Sequence, residues 1–187
     1  MKPVLGLDPG TQTGWAVCLE QDCIIVSGVE LFAAVADQGY GAMFAALRRF
    51  LADLRRAQGP FAGIAYELPF LRGPIASRIL WGMAAHVQER CAMWRCRPLP
   101  VNTMTLKKFA TGSGKVGKEE MIKAAAAFAP RMIGLERSYV LGEHEADAIH
   151  VARWGWAQLQ KDAGVQPSFG CDPTRVSEPQ FERDPSN

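Results

Sequence analysis

The sequence is poor in most features that would mark a specialised chain. Its 187 residues hold only three histidines and five cysteines. None of Cys18, Cys23, Cys91, Cys96 and Cys171 stands in a C-x-x-C pair, and no histidine cluster completes a set of zinc ligands, so a structural zinc site is not expected. The odd cysteine count fits no closed disulfide framework. It reads instead as a set of reduced, buried or incidental thiols in a cytoplasmic protein, with no signal peptide expected ahead of the first strand. No apolar run approaches bilayer length, so no membrane partner is expected. No internal repeat is visible. The formal net charge is only +2, so average electrostatics do not demand a nucleic-acid partner.

What is present is enough apolar content, 48 %, to build one core. The basic residues are also unevenly placed. They cluster at Arg48, Arg49, Arg55 and Arg56, at Arg95 and Arg97, and at Lys107, Lys108, Lys115, Lys118 and Lys123. A local basic patch binds phosphates even on a nearly neutral protein. The first cluster reads equally well as the solvated face of a helix.

Apolar and β-branched runs predict three strands joined by hairpins over Val4 to Asp8, Gly14 to Leu19 and Cys23 to Val29. Met43, Phe44, Leu47, Phe50, Leu51 and Leu54 recur at helical spacing within Tyr40 to Gln58, and Gly59-Pro60 stops that helix. Phe61 to Glu67 reads as a strand and Pro74 to Trp94 as a buried helix. Arg97 to Val101 reads as a short strand bounded by Pro98 and Pro100, either at an edge or irregular. Helices follow over Thr105 to Phe109, Lys118 to Ala129 and Glu143 to Lys161. Hairpins followed by βαβ crossovers predict an α/β fold: a mixed five-stranded sheet, antiparallel then parallel, with helices on both faces. Residues 1–163 form the expected domain. Residues 164–187, rich in proline, serine and charge, are expected to be a disordered tail.

The stretch Gly112-Ser-Gly-Lys-Val-Gly-Lys118 fits the glycine-rich G-x-x-x-x-G-K pattern of nucleotide-binding loops. It fails the chemistry, because Glu119 stands where Ser or Thr would hold Mg²⁺, and the preceding TLKKFATG is polar and helix-like rather than a buried strand. No nucleotide cofactor is expected.

Two strands end in a carboxylate after an apolar run, VLGLD at Asp8 and GIAYE at Glu67. Open sheets place ligands at strand ends, where a charge that is costly in the core can meet a cation. In GEHEADAIHVARW, Glu143, His144 and Asp147 share one helical face, and Glu145 lies about 100° off it. Carboxylates from separate elements without thiolates suit Mg²⁺ or Mn²⁺, and two such ions can drive phosphodiester hydrolysis. Each acid alone has an ordinary explanation as a turn cap, a salt-bridged strand end or a helix N-terminal charge; their co-occurrence points to a site.

These residues carry a resemblance. LGLDPGTQTGWAV, AYELPF and HEADAIHVA are similar to the three acidic motifs of the RuvC-type Holliday junction resolvases, which have an RNase H-like fold. The likeness runs from about Lys2 to Lys161. It implies catalytic and metal-binding roles for Asp8, Glu67, His144 and Asp147, where His144 occupies a position that is Asp in many relatives and His in others. It implies that Glu143 or Glu145 substitutes in part. Phe70 falls where the family carries an aromatic at the opened junction, although Pro69 and Pro74 depart from the family pattern. Lys107 or Lys108, together with Lys118, matches basic positions around the family's active site and DNA, and Lys107, Lys108, Lys115 and Lys118 are expected to hold phosphates. The implied protein is a homodimer with two Mg²⁺ or Mn²⁺ ions per site that cuts four-way DNA junctions; the apolar Ile75 to Met93 helix reads either as its interface or as filling of the monomer's own core. Two other readings fit the same residues: a broader nuclease of forks and flaps, and a non-catalytic nucleic-acid-binding module.

Overall fold

The computed structural model describes residues 2–20, 22–32, 39–70, 73–129 and 141–164. Five strands, β1 (Val4–Asp8), β2 (Gln12–Glu20), β3 (Cys23–Leu31), β4 (Gly63–Glu67) and β5 (Arg97–Val101), form one sheet in the order β3-β2-β1-β4-β5. β1, β2 and β3 pair antiparallel, and β1, β4 and β5 pair parallel. The sheet is therefore mixed, as the pattern of hairpins and crossovers implied. β2 and β3 run longer than their apolar stretches, because hydrogen bonding to a neighbour extends them through Gln12, Glu20 and Leu31. β5 lies at the sheet's edge, the position that tolerates Pro98 and Pro100.

Strand alternation divides the core into two. Leu5, Leu7, Val17, Ile64 and Tyr66 face α1 (Tyr40–Gln58) and α2 (Pro74–Trp94). Val4, Ala16, Cys18 and Ala65 face α3 (Thr103–Thr111), α4 (Lys118–Ala126) and α5 (Glu143–Asp162). α1 buries Met43, Leu47, Leu51 and Leu54, one stripe at helical spacing. Pro74 opens α2 at its first helical position, where its missing N–H costs nothing.

The placement of α5 decides everything about the site. A Cβ on Gly6 would lie 2.3 Å from the Ala152 backbone nitrogen and 2.6 Å from the Ala148 carbonyl oxygen, and a Cβ on Gly14 would lie 1.8 Å from the His144 carbonyl oxygen. The helix backbone thus rests directly on the sheet. A buried Arg153 anchors the middle of the helix: its Nε donates to Asp22 Oδ1 at 2.7 Å, and its guanidinium sits 3.3 Å from the Phe128 ring centroid. The glycine-rich stretch joins α3 to α4, with Gly112 capping the first helix in a left-handed conformation (φ 83°) and Gly117 preceding the second. It follows a helix, not a buried strand. Beyond Gly164 the expected tail lies outside the described residues. Among the described residues no helix is long and apolar enough to cross a membrane.

Candidate active site

Asp8 and Glu67 end two adjacent parallel strands. The register pairs Leu7 with Tyr66, so one step further Asp8 lies beside Glu67. Both side chains continue the alternation set by Gly6 and Ala65 and project to the α5 face. The first turn of α5 then delivers Glu143, His144 and Asp147, as helical spacing requires. The Gly14 contact holds the His144 backbone against β2, which itself pairs with β1 at Asp8.

His144 Nδ1 lies 2.7 Å from Asp8 Oδ2. A carboxylate only accepts, so Nδ1 carries the proton and Nε2 keeps its lone pair in the neutral ring. The hydrogen bond to Asp8 raises the His144 pKa against the opposing effect of burial, and Asp8, Glu143 and Asp147 add to the rise by charge. Asp147 is pushed up to about 7, chiefly by burial, then by the negative charges of Asp8, Glu67 and Glu143. Four carboxylates crowd a partly dry site, and a proton is one way to relieve them.

A divalent cation is another. Among the described residues no group of three or more His, Cys, Asp or Glu side chains is arranged to hold a metal ion as it stands. The donor chemistry fits nonetheless. The site offers hard oxygen ligands and one imidazole, and the charges of Asp8, Glu67 and Glu143 add to burial in raising the Asp147 pKa.

The basic residues divide. Lys107 and Lys118 line a cleft with Asp147 and Glu143. Lys107 Nζ donates to the Val116 carbonyl at 2.7 Å, which ties α3 to the glycine-rich stretch, and Lys118 Nζ lies 2.7 Å from Glu143 Oε2. Lys108 and Lys115 are exposed and do not line that cleft. Phe70, in the segment after Glu67, is 73 % exposed, a large apolar side chain offered to solvent beside the site.

One expectation is corrected. Of Glu143 and Glu145, only Glu143 is placed to substitute in part at the site, because Glu145 is 3 % exposed and accepts the Ser27 hydroxyl at 2.6 Å, on the β3 side of the helix. The 100° step from His144 already placed it off the site face. One residue was missed: Thr103, the first residue of α3, donates its hydroxyl to Glu67 Oε1. The only sequence signal is its position two residues past the end of β5, whose Val101 pairs with Glu67.

No family model and no curated protein matches the sequence. Solved structures do. The Thermus thermophilus RuvC structure is 18 % identical, with a TM-score of 0.66 over 88 % of this chain and 98 % of that one. A second, of T. thermophilus RuvC in complex with Holliday junction substrate, is 20 % identical, with a TM-score of 0.61 over 83 % of this chain and 98 % of that one. The chain has the RuvC-like variety of the RNase H-like fold.

Proposed function

We propose that this protein is a divalent-metal-dependent endodeoxyribonuclease that resolves four-way DNA junctions. One observation carries the reading: Asp8 and Glu67 end neighbouring parallel strands just where α5 sets His144 and Asp147, and His144 reaches Asp8 at 2.7 Å. The shared fold with a protein solved on a Holliday junction supports the substrate class.

In this reading Asp8, Glu67 and Asp147 hold Mg²⁺ or Mn²⁺, two ions per site, with His144 as a further ligand. Bound there, the ions supply Lewis-acid stabilisation of the phosphodiester and a more acidic water. The remaining roles belong to the chain. Thr103 fixes the rotamer of Glu67. Asp8 orients the His144 ring so that Nε2 is the nitrogen facing substrate. Lys107 and Lys118 neutralise phosphate charge at the cleft, Lys108 and Lys115 extend that contact, and the N-terminal amides of α4 favour the same anion. Phe70 stacks at the branch point. Phosphate contacts position DNA without reading sequence, so junction shape governs selection.

A four-way junction has two-fold symmetry, so paired cuts require two equal sites. We propose a homodimer formed through α2, whose exposed side carries Ile75, Trp81 and Met93. The test is cleavage of a four-way junction, a fork, a flap and a linear duplex at one protein and Mg²⁺ concentration. Cleavage of the junction well above the others is expected. Equal cutting of forks and flaps would move the assignment to a general branched-DNA nuclease.

A further inference from the structure

The corner between α2 and β5 holds two cysteines for which the nuclease reading has no use. α2 ends in a Schellman motif. Arg95 takes the left-handed conformation (φ 53°), its N–H donates to the Ala92 carbonyl at 3.3 Å, and the Cys96 N–H donates to the Cys91 carbonyl at 3.0 Å. This closure brings the side chains at its two ends against each other, and that contact is ordinarily apolar. Here both ends are cysteine, held at facing positions by the Cys96 N–H to Cys91 carbonyl closure.

The two sulfurs have unlike surroundings. Cys91 is buried at 1 % exposure within the α1–α2 side of the core, while Cys96 is only partly buried. Cys96 also faces the cations of Arg55, on α1, and Lys2, before β1. Interaction with Cys91, then those cations, pulls the Cys96 thiol below its ordinary range, and interaction with Cys96, then burial, pushes Cys91 up. The less buried sulfur has the lowered pKa and the other is held beside it by the helix closure, the arrangement that reactive thiol pairs need. Cys18 offers no such chemistry: it is buried, its thiol donates to the Glu20 carbonyl at 2.8 Å, and burial drives its pKa far up.

We propose that Cys91 and Cys96 form a peroxide-sensitive dithiol that closes to an intramolecular disulfide. The Cys96 thiolate attacks one oxygen of hydrogen peroxide and the O–O bond breaks. The departing hydroxide takes a proton to become water, leaving Cys96 as a sulfenic acid. Cys91 sulfur then attacks Cys96 sulfur, the S–S bond forms, the S–O bond breaks, and the hydroxyl leaves as water with the Cys91 proton. Two thiols lose two electrons and two protons, and the peroxide becomes two waters. A reducing dithiol reverses the closure. The bridge staples the end of α2 to the start of β5 and so raises thermal stability. This inference is independent of the nuclease assignment.

The full-length reduced protein is treated with hydrogen peroxide, remaining thiols are blocked with N-ethylmaleimide, and digested peptides are mapped by mass spectrometry. The expected result is loss of Cys91 and Cys96 from the labelled set, a peptide bridge between them, recovery with dithiothreitol, and a higher melting temperature in the oxidised form that is absent in Cys96→Ser. In Cys91→Ser, Cys96 should accumulate as a sulfenic acid captured by dimedone. The proposal is overturned if Cys91 and Cys96 remain alkylatable while other cysteines oxidise. It is equally overturned if the bridge maps to Cys18 and Cys23 or between two chains, or if Cys96 stops at the sulfenic acid in the wild type.

Discussion

At Asp8 a single hydrogen bond decides which nitrogen of His144 carries the proton, and the crowding around Asp147 decides how the site behaves without metal. The folded-state pKa of Asp147 stands at about 7 against an ordinary 3.8. Its native carboxyl therefore holds a proton that the unfolded chain has already lost. That contribution to stability is full below pH 3.8 and disappears as pH rises through about 7. Asp147→Asn removes the repulsion. In EDTA at pH 8 the variant should melt higher than wild type by roughly 3 °C, on the order of 1 kcal/mol, and it should cut no DNA. Thermal melts with and without Mg²⁺ check this, since Mg²⁺ should raise the wild type more than the variant. Thr103 acts through Glu67. Thr103→Val should lower cleavage by about 10–100-fold while the protein stays folded, and Thr103→Ser should restore it. A loss shared by the serine variant would point to packing instead.

At the scale of elements, α5 is positioned by contacts that permit no side chain. Gly14→Ala forces its Cβ against the His144 carbonyl, so the helix start must move. Cleavage should fall by on the order of 100-fold for a stability loss of about 1–3 kcal/mol, measured by nicking rate and denaturant midpoint. The same helix carries a buried, neutral His150. Its Nε2 donates to the Met121 carbonyl at 3.0 Å, and Arg153 lies at its Nδ1. Burial, with a smaller contribution from Arg153, lowers its pKa to about 4 against a backbone bond that favours the charged form. The unfolded chain binds that proton first, so this contribution is full above pH 6.5 and is lost as pH falls toward 4. Asp147 acts in the opposite sense over much of that interval, so the sign is read by comparison. Relative to His150→Gln, wild type should gain about 3 kcal/mol between pH 4 and 6.5. Denaturant melts across that range give the difference, and parallel curves for the two proteins would remove His150 as the cause.

The elements themselves were unevenly legible. α1, α2 and β5 could be read at their observed bounds, because Gly59-Pro60, Pro74 and the paired prolines of β5 punctuate strong apolar periodicities. Asp8 and Glu67 stood out because a charge after an apolar run is locally conspicuous, and the helical step separated Glu145 from Glu143, His144 and Asp147. What could not be read depends on contacts distant in sequence. Thr103 meets Glu67 and Ser27 meets Glu145 through hydroxyls that carry no pattern. The buried Arg153–Asp22 pair spans most of the chain. The Cys91–Cys96 contact was hidden because its left-handed turn falls on Arg95 rather than on a glycine.

At the scale of the whole molecule, the candidate active site lies on one side of the sheet and the exposed stripe of α2 on the other. A dimer through α2 would leave both clefts open. Trp81, large and 48 % exposed, sits near the middle of that helix. Trp81→Glu should convert a dimer into a monomer by sedimentation at micromolar concentration, leaving thermal stability within about 1 kcal/mol of wild type. It should also uncouple the two cuts, so that single nicks replace paired ones. A wild type that sediments as a monomer, alone and on DNA, would contradict the paired-cut arrangement.

The most direct test follows both strands of a synthetic four-way junction, each labelled at its end, with wild type and Asp8→Asn in Mg²⁺ and in Mn²⁺. The expected result is paired nicks at symmetry-related positions by the wild type, and none by Asp8→Asn, which should still bind the junction. A wild type that binds the junction and leaves it uncut in both metals would contradict the central claim and make the protein a binding module on a nuclease fold.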